Sequence, residues 1–250
     1  MRLYLIRHAQ SQNNIVYDGT DTAKHRLVDP EITPIGHRQS EALAQYLCAP
    51  GNEPRQHPFT HEHKPDFGIT HLYCSLMTRA ILTAQYIHEA CGIGCEALPT
   101  VFEQKGLYSV TQSGELQQET GPGRQYFQDR FPWLNLPDSV AKDGWHFDPV
   151  ESDAQFIERV ASVLIHLLER HQGCNDTVAL VSHWGFMDQF VNAVMGIERL
   201  VENQRSDWKS NWVFDNTSYS RFDFDNDSRN VVYLNRTNHL IPELQGVPLS

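Results

Sequence analysis

An arginine and a histidine stand together where the first predicted strand of the chain ends in a loop. The apolar run from Leu3 to Ile6 precedes Arg7 and His8, and it is rich in residues that favour strands. In open α/β sheets, ligands gather outside the carboxyl ends of such strands, so both side chains would face a site. Arg7 carries a permanent charge on a fork that suits phosphate oxygens, while the imidazole of His8 can be neutral and nucleophilic near physiological pH. The pair indicates phosphoryl transfer.

Taken alone, an Arg-His pair at the end of a strand is more often a solvated strand end, because surface arginine is common. Three more polar side chains, however, follow extended segments in the same way: Arg79 after 70–74, Glu103 after 98–102 and His183 after 177–182. Singly, Glu103 could be a solvated carboxylate and His183 a core histidine. Together, two arginines, two histidines and one glutamate at the same edge of one sheet favour a catalytic site.

Short motifs surround each of these residues. Arg7 and His8 are followed by Ala9, where an Arg-His-Gly (RHG) motif would have glycine. The other motif residues are Thr33, Pro34 and Gly36; Ser75, Arg79, Ala80, Thr83 and Ala84; Ser182, His183 and Gly185; and Asn216 and Ser218. In combination they resemble the histidine phosphatase superfamily, also called the phosphoglycerate mutase-like family. Ala9 does not adopt a positive φ easily, so its effect would be on the loop rather than on the chemistry.

The resemblance implies covalent catalysis at His8. This histidine would attack phosphorus and become phosphohistidine, which divides one difficult displacement into two easier ones. Glu103 resembles the general acid of the family, which protonates the leaving oxygen and then acts as a base on the attacking water. The chemistry requires no metal and no other cofactor.

The resemblance also implies a set of phosphate-binding groups. Arg7, Arg79 and a protonated His183 would stabilise the charge of the phosphate and of the transition state. Asn14 and the backbone N–H groups at the start of the helix after His183 are further expected donors, because helix N-termini favour anions.

The alternation of strands and helices predicts an α/β fold. Strands are predicted at 2–7, 70–74, 177–182, 217–224 and 230–236, and helices at 34–48, 77–91, 152–171 and 184–195. Strands alternating with helices favour a mainly parallel sheet covered on both faces. The resemblance implies the same architecture, a phosphoglycerate mutase-like three-layer α/β/α sandwich. A length of 250 residues suits one large domain, so we expect residues 1–250 to form a single domain.

A segment rich in glycine, proline and aromatic residues, 104–150, is predicted to be an inserted lid. Loops of this length in compact domains are often functional, so we expect this segment to select the substrate. Lys105 and Arg124 could meet a second anionic group of the substrate. Simple packing is at least as good an explanation for each aromatic residue.

The residues after Glu103 separate two enzymatic interpretations. Glycolytic mutases of the family usually carry an Arg-His-Tyr-Gly-like run there, whereas this chain has Gln104, Lys105, Gly106, Leu107 and Tyr108. The sequence therefore favours a phosphomonoester hydrolase, with a cofactor-dependent phosphoglycerate mutase as the alternative. A non-catalytic phospholigand-binding protein is an alternative of another class, against which the presence of both histidines and Glu103 speaks.

The formal net charge of −11 opposes binding to nucleic acids and to anionic membranes, which select basic patches. No apolar run approaches the roughly 20 residues that cross a bilayer. We therefore expect no nucleic acid or membrane partner, and a small phosphorylated metabolite or another phosphomonoester as the substrate. Arg7 and Arg79 must then create a local positive pocket in an acidic protein.

The cysteines are odd in number and scattered: Cys48, Cys74, Cys91, Cys95 and Cys174. No signal-peptide pattern precedes the first predicted strand, so we expect a reducing, cytoplasmic compartment. Cys91 and Cys95 lack the second pair that a typical zinc site has. His57, His61 and His63 form a denser cluster, but no framework fixes a coordination geometry, and a solvated loop is favoured over a metal site.

Overall fold

A seven-stranded sheet forms the centre of the fold in a computed structural model that describes residues 1–15, 26–51, 67–146, 149–197, 211–225 and 228–245. The strands are β1 (Arg2–Arg7), β2 (His71–Cys74), β3 (Cys95–Ala97), β4 (Tyr108–Val110), β5 (Leu116–Gln118), β6 (Leu134–Asn135), β7 (Thr177–Ser182), β8 (Tyr219–Phe224) and β9 (Arg229–Arg236). The helices are α1 (Gln12–Ile15), α2 (Pro34–Cys48), α3 (Thr78–Cys91), α4 (Arg124–Arg130), α5 (Asp153–His171) and α6 (Trp184–Met195), and a 3₁₀ turn lies at Pro242–Leu244.

The strand order of the sheet is β6-β3-β2-β7-β1-β8-β9. The first five strands of that order are parallel. Strand β8 pairs antiparallel with β1, and β9 pairs antiparallel with β8. Residues of α2 and α3 belong to one apolar core, and residues of α5 and α6 belong to another. The mainly parallel sheet and the three-layer α/β/α arrangement predicted from the sequence are confirmed.

Strand β1 divides these two cores. Leu3 and Leu5 pack with the residues of α5 and α6, while Tyr4 and Ile6 pack with the residues of α2 and α3. All four side chains are fully buried. A strand covered on both faces is apolar at every position rather than at alternate positions, which explains the uninterrupted apolar run before Arg7.

The four predicted helices, α2, α3, α5 and α6, begin and end within one residue of their predicted bounds. Side-chain caps explain where two of them begin. The Thr33 hydroxyl accepts the Gly36 N–H at 3.0 Å, and Pro34 occupies the first turn of α2. Ser152 and Gln155 form a reciprocal capping box at the start of α5.

The predicted extended segment 98–102 is not a strand, and this part of the prediction is wrong. Strand β3 ends before it, and the segment turns through a hydrogen bond from the Val101 N–H to the Leu98 carbonyl at 3.2 Å. Pro99 has no N–H to donate to a neighbouring strand, so the ladder cannot continue. Glu103 therefore follows a loop.

The segment 104–150 contains more regular structure than its sequence indicated. Strands β4 and β5 form a separate two-stranded sheet, and helix α4 follows. Strand β6 then pairs with β3 and becomes the outer strand of the central sheet. These strands have only two or three residues, too few for a period-two pattern to be recognised in the sequence. The segment is thus built into the sheet as well as inserted beside it.

Two of the five cysteines form a disulfide in the structure. Cys48 at the end of α2 is bonded to Cys91 at the end of α3, with their Cα atoms 5.4 Å apart. Cys74 and Cys95 are buried thiols on neighbouring strands, and Cys174 is an exposed thiol. Cys91 is therefore unavailable for the metal pair with Cys95 that the sequence already disfavoured.

Two further expectations from the sequence concern a histidine cluster and membrane-spanning helices. The cluster of His57, His61 and His63 lies outside the described residues. Within the described ranges, no helix combines the length and the apolar character needed to cross a membrane.

Gly36 allows α2 to pack closely against the loop that carries His8. A Cβ atom at this position would lie 2.2 Å from the Gln10 carbonyl oxygen and 3.0 Å from Ile32 Cβ. Replacing a helical glycine with alanine ordinarily stabilises a helix by about 1 kcal/mol. Here we expect Gly36→Ala to lower the free energy of unfolding by about 1–3 kcal/mol, because backbone must move. Urea unfolding measures the difference.

Gly94→Ala is the matched control, since a Cβ at Gly94 meets no atom within 4 Å. We expect it to change the free energy of unfolding by at most about 0.5 kcal/mol. Equal unfolding curves for Gly36→Ala and Gly94→Ala would contradict the close approach.

Candidate active site

Three neighbouring strands deliver the predicted arginines and histidines to one edge of the sheet. Arg7 ends β1 and His8 follows it, His183 follows β7, and Arg79 lies in the first turn of α3 after β2. Strands β2, β7 and β1 are adjacent and parallel, so their carboxyl ends open at the same place. All four side chains belong to residues that are at most 5% exposed. The site is a buried cluster of basic groups.

The two ring nitrogens of His8 have different partners. Nδ1 lies 2.7 Å from the Ala9 carbonyl oxygen, and the Arg79 Nε–H donates to Nε2 at 3.1 Å. Since Nε2 accepts a hydrogen bond, it carries the lone pair, and the ring is neutral with its proton on Nδ1. Burial, and then the charges of Arg79 and Arg7, hold the pKa of His8 well below its ordinary value. Nε2 therefore carries a free lone pair at neutral pH, as a nucleophile requires.

His183 lies beside His8, with the ring centroids 5.2 Å apart and the ring planes inclined by 54°. The His183 side chain is completely buried, yet neither of its ring nitrogens has a hydrogen-bond partner in the part of the chain that the structure describes. Buried polar atoms are rarely left unsatisfied, so these nitrogens point to a ligand that supplies the partner.

Protonation of His183 depends on that ligand. Burial, and then the charges of Arg79 and His8, lower the pKa of His183 well below its ordinary value. The protonated His183 expected from the sequence is therefore disfavoured in the ligand-free site. A phosphate dianion would raise this pKa again, because a nearby negative charge favours the imidazolium form.

The two arginines are held by backbone and by an unpredicted carboxylate. Arg7 donates from one terminal nitrogen to the Phe214 carbonyl at 2.6 Å. A terminal nitrogen of Arg79 lies 3.9 Å from Asp29 Oδ1. Asp29 also accepts the Thr78 N–H at 3.0 Å and the Thr78 hydroxyl at 2.7 Å, so it caps α3. Burial raises the pKa of Asp29, while Arg79 opposes that shift.

Glu103 reaches this cluster through the first turn of α6. Its Oε1 accepts the N–H of Phe186 at 3.2 Å and that of Gln104 at 2.8 Å. His183 is the N-cap of the same helix, so the carboxylate lies at the helix end next to the histidine. The expected phosphate donor at Phe186 is thus engaged by Glu103 instead.

Gly185 makes this position of Glu103 possible. A Cβ atom at Gly185 would lie 2.6 Å from Glu103 Oε1. The glycine of the Ser-His-x-Gly motif therefore leaves room for the Glu103 carboxyl group beside the N-terminus of α6.

A partly buried ion pair fixes the loop that carries Glu103. Arg159 of α5 donates to the Phe102 carbonyl at 3.0 Å and forms two hydrogen bonds with the Glu151 carboxylate, at 2.6 and 2.9 Å. Glu151 in turn accepts the Lys105 N–H at 2.9 Å. The pair thus holds the backbone on both sides of Glu103. Sequence reasoning missed it, because Arg159 is 57 positions from Phe102 and no local pattern spans that separation.

Asn14 is part of the loop that follows His8. Its Oδ1 accepts the Ser11 N–H at 2.9 Å and the Asn216 side-chain amide at 3.4 Å. Asn216 also donates to the His8 carbonyl at 3.1 Å. Because Oδ1 is fixed in this way, the direction of the Asn14 amide N–H groups is fixed as well.

The two basic residues expected to select the substrate have different environments. Lys105 is exposed and adopts a positive φ of 71°. Arg124 donates from Nε to the Val140 carbonyl at 3.0 Å and from a terminal nitrogen to the Pro137 carbonyl. The guanidinium of Arg124 therefore holds the inserted segment together, and this geometry does not support its contact with a substrate.

Comparisons with known proteins show the family of the chain. A family model described as histidine phosphatase superfamily (branch 1) matches residues 3–237. The chain belongs to the histidine phosphatase superfamily. The match begins within β1 and extends past β9, so membership of the superfamily covers the whole central sheet. A comparison with curated proteins found no match.

Several solved structures share the fold of this superfamily member. A phosphoserine phosphatase mutant from Entamoeba histolytica in complex with phosphoserine is 21% identical, with a TM-score of 0.56, and the match covers 96% of this chain and 99% of that chain. An alpha-ribazole phosphatase from Shigella flexneri is 19% identical, with a TM-score of 0.55, and the match covers 95% of this chain and 97% of that chain. A mycobacterial glucosyl-3-phosphoglycerate phosphatase in complex with VO3 is 16% identical, with a TM-score of 0.57, and the match covers 94% of this chain and 98% of that chain.

The lowered pKa values of His8 and His183 predict how stability depends on pH in phosphate-free buffer. The unfolded chain takes up protons on these histidines below about pH 6.5, whereas the folded site resists protonation. The unfolded state then binds more protons, so the free energy of unfolding falls as the pH is lowered from 6.5. Each histidine contributes at most about 1.4 kcal/mol per pH unit.

We expect His183→Asn to make this slope shallower between pH 6.5 and pH 5, measured by urea unfolding. His166→Asn replaces an exposed histidine of α5 and serves as the control with an unchanged slope. A slope that is the same in wild type and His183→Asn would show that His183 is not held neutral by its surroundings.

Proposed function

We propose that the protein hydrolyses phosphomonoesters through a phosphohistidine at His8. The observation that carries the proposal is the buried pair of His8 and His183. The lone pair of His8 Nε2 is positioned by Arg79, and the adjacent His183 ring has no hydrogen-bond partner among the described residues. Arg7 and Arg79 add positive charge that an entering phosphate dianion would neutralise. Membership of the histidine phosphatase superfamily supports the same activity.

In the proposed first step, His8 Nε2 attacks phosphorus, and the bond between phosphorus and the ester oxygen breaks in line. The Arg79 Nε–H leaves Nε2 and donates to a phosphate oxygen. Glu103 gives its proton to the departing oxygen, so the alcohol leaves neutral. His183 takes up a proton from solvent when the phosphate dianion binds beside it. Arg7 and this protonated His183 then stabilise the charge that spreads over the equatorial oxygens.

In the proposed second step, water attacks the phosphorus of phosphohistidine. The Glu103 carboxylate takes one proton from that water, and the bond between phosphorus and His8 Nε2 breaks. Inorganic phosphate leaves, His183 returns its proton to solvent, and His8 and Glu103 regain their initial protonation states. The position of Glu103, held by the backbone at the start of α6, is what allows one carboxyl group to serve both steps.

We propose a small phosphorylated metabolite as the substrate. The similar structures are named as phosphatases of phosphoserine, alpha-ribazole and glucosyl-3-phosphoglycerate, all small phosphorylated compounds. The protein as a whole is acidic, with a net charge of −11. Such an anion would therefore bind at the local positive charge of the arginine and histidine cluster. Arg26 is a further candidate for a second anionic group, since it stacks on the Tyr108 ring at 4.6 Å and its charge acts on Arg79.

We further propose that residues 104–150 act as the specificity segment of a single domain comprising residues 1–250. The Phe102 ring, next to Glu103, contacts the His146 ring with the centroids 4.8 Å apart, so this segment packs directly on the loop of the proposed acid. Strand β6 of the segment belongs to the central sheet, which supports one folding unit.

The mutase alternative is not favoured. The phosphatase neighbours support hydrolysis, and Glu103 is followed by Gln104 and Lys105 rather than by the basic run typical of glycolytic mutases. A non-catalytic binding protein would not need an unprotonated Nε2 at His8.

We also propose a cytoplasmic location. Three free thiols, at Cys74, Cys95 and Cys174, support a reducing compartment. The disulfide between Cys48 and Cys91 is the feature that weighs against this location.

The proposal predicts phosphate release from members of a phosphomonoester panel that includes phosphoserine and 3-phosphoglycerate. We expect His8→Ala to reduce kcat/KM by about 10³-fold or more, because the nucleophile is lost. The exposed His166→Ala is the control with unchanged activity. Isomerisation of 3-phosphoglycerate without net release would favour a mutase, and tight phosphate binding without turnover would favour a binding protein.

The proposed role of Glu103 predicts a dependence on the leaving group. We expect Glu103→Gln to lower kcat for alkyl phosphates by about 10²- to 10⁴-fold, because an alkoxide needs a proton to leave. With p-nitrophenyl phosphate the first step should be affected far less, since a phenolate leaves without one; the pre-steady-state burst of p-nitrophenol measures that step.

Glu115→Gln changes an exposed glutamate of the same segment and is the matched control. Equal losses in the first step for alkyl and aryl phosphates would assign Glu103 a binding role rather than proton transfer.

A further inference from the structure

Two histidines and an aspartate meet at the opposite edge of the sheet from His8. His71 is the first residue of β2, Asp176 immediately precedes β7, and His171 is the last residue of α5. One ligand atom from each residue, a ring nitrogen or a carboxylate oxygen, lies within 4.8 Å of the others. None of these residues takes part in the chemistry proposed for the other edge.

The contacts of His171 orient its ring. Nδ1 lies 2.8 Å from Asp176 Oδ2, and Nε2 lies 2.9 Å from the Tyr73 hydroxyl. The His71 ring packs edge-on against His171, with the centroids 4.7 Å apart. The Thr70 hydroxyl lies 2.9 Å from His71 Nδ1, which leaves Nε2 of His71 for another partner.

We propose that His71, His171 and Asp176 bind a zinc ion. Imidazole nitrogens and a carboxylate oxygen are ligands that Zn²⁺ accepts, and three protein ligands leave a fourth position for water. Tetrahedral ligand atoms about 2.0–2.1 Å from zinc are about 3.4 Å apart. Separations of up to 4.8 Å therefore need only small side-chain movements.

The surroundings match those of a metal ligand. Histidine ligands usually hold their second nitrogen in a hydrogen bond that fixes the tautomer, and Tyr73 is in place to do this for His171. When zinc occupies the position between His171 Nδ1 and Asp176, the Nδ1 proton is replaced. The ring then carries its proton on Nε2 and donates it to the Tyr73 oxygen, so no net proton is lost from a neutral ring.

The burial of the three residues also suits an exchangeable ion. The His171 side chain is 1% exposed, while that of Asp176 is 27% exposed and His71 is half-buried. One ligand is therefore anchored in the core, and the others are open to solvent, from which an ion can enter. A zinc ion here would tie α5 to β2 and β7, so its expected effect is on stability rather than on turnover.

Calorimetric titration of the metal-stripped protein with ZnCl₂ tests the proposal. We expect wild type to bind one ion at this position, and His71→Asn and Asp176→Asn each to weaken that binding at least tenfold. His166→Asn removes an exposed histidine of α5 and should bind zinc as wild type does. Zinc should also raise the Tm of wild type, and this rise should be absent in the two ligand variants. Circular dichroism confirms that each variant is folded.

Two controls separate this position from the other histidines of the chain. His8→Ala removes a histidine of the proposed active site, and a triple variant replaces His57, His61 and His63 with alanine. Zinc binding that survives in His71→Asn and Asp176→Asn but is lost in either control overturns the proposal. Absence of zinc binding in wild type overturns it as well.

Discussion

The hydrogen bond from Arg79 Nε to His8 Nε2 is the contact on which the site depends. It holds the lone pair of the neutral His8 ring against the guanidinium of Arg79. Burial favours this arrangement because it disfavours the charged form of His8. The same burial makes a phosphate dianion a strong partner for this cluster, since charges attract more strongly where water is excluded. Burial thus both keeps Nε2 of His8 unprotonated and favours an anionic ligand beside the two arginines.

The scaffold explains how these groups come so close. Strand β1 lies in the middle of the sheet with both faces covered, so its carboxyl end is fixed by two cores at once. Two glycines then allow approaches that a side chain would block, Gly36 beneath the loop after His8 and Gly185 beside Glu103. The Arg159–Glu151 pair fixes the loop of Glu103 from the side of α5. Each of these features determines where a side chain of the site lies rather than how reactive it is.

The sequence predicted the helices, strands and site residues that show a periodic pattern or a local motif. The bounds of α2, α6, β1 and β7 agree with the prediction, because long or fully buried elements leave a clear pattern. Strands β3 to β6 are too short for such a pattern, and Pro99 ended the extended segment that had been expected before Glu103. Asp29 and Arg159 act on the site over separations of 49 and 57 positions, so only the fold reveals them. The electrostatic state of His183 likewise depends on burial, which the motif around it does not encode.

In the proposed reaction, His8 carries the phosphoryl group during turnover. Acid-labile phosphohistidine can be preserved by rapid quenching into alkali and located by peptide mass spectrometry. With a substrate that wild type turns over, we expect phosphate on the peptide containing His8, formed at a rate no slower than turnover. Turnover without label at His8, or label that persists in His8→Ala, would contradict it.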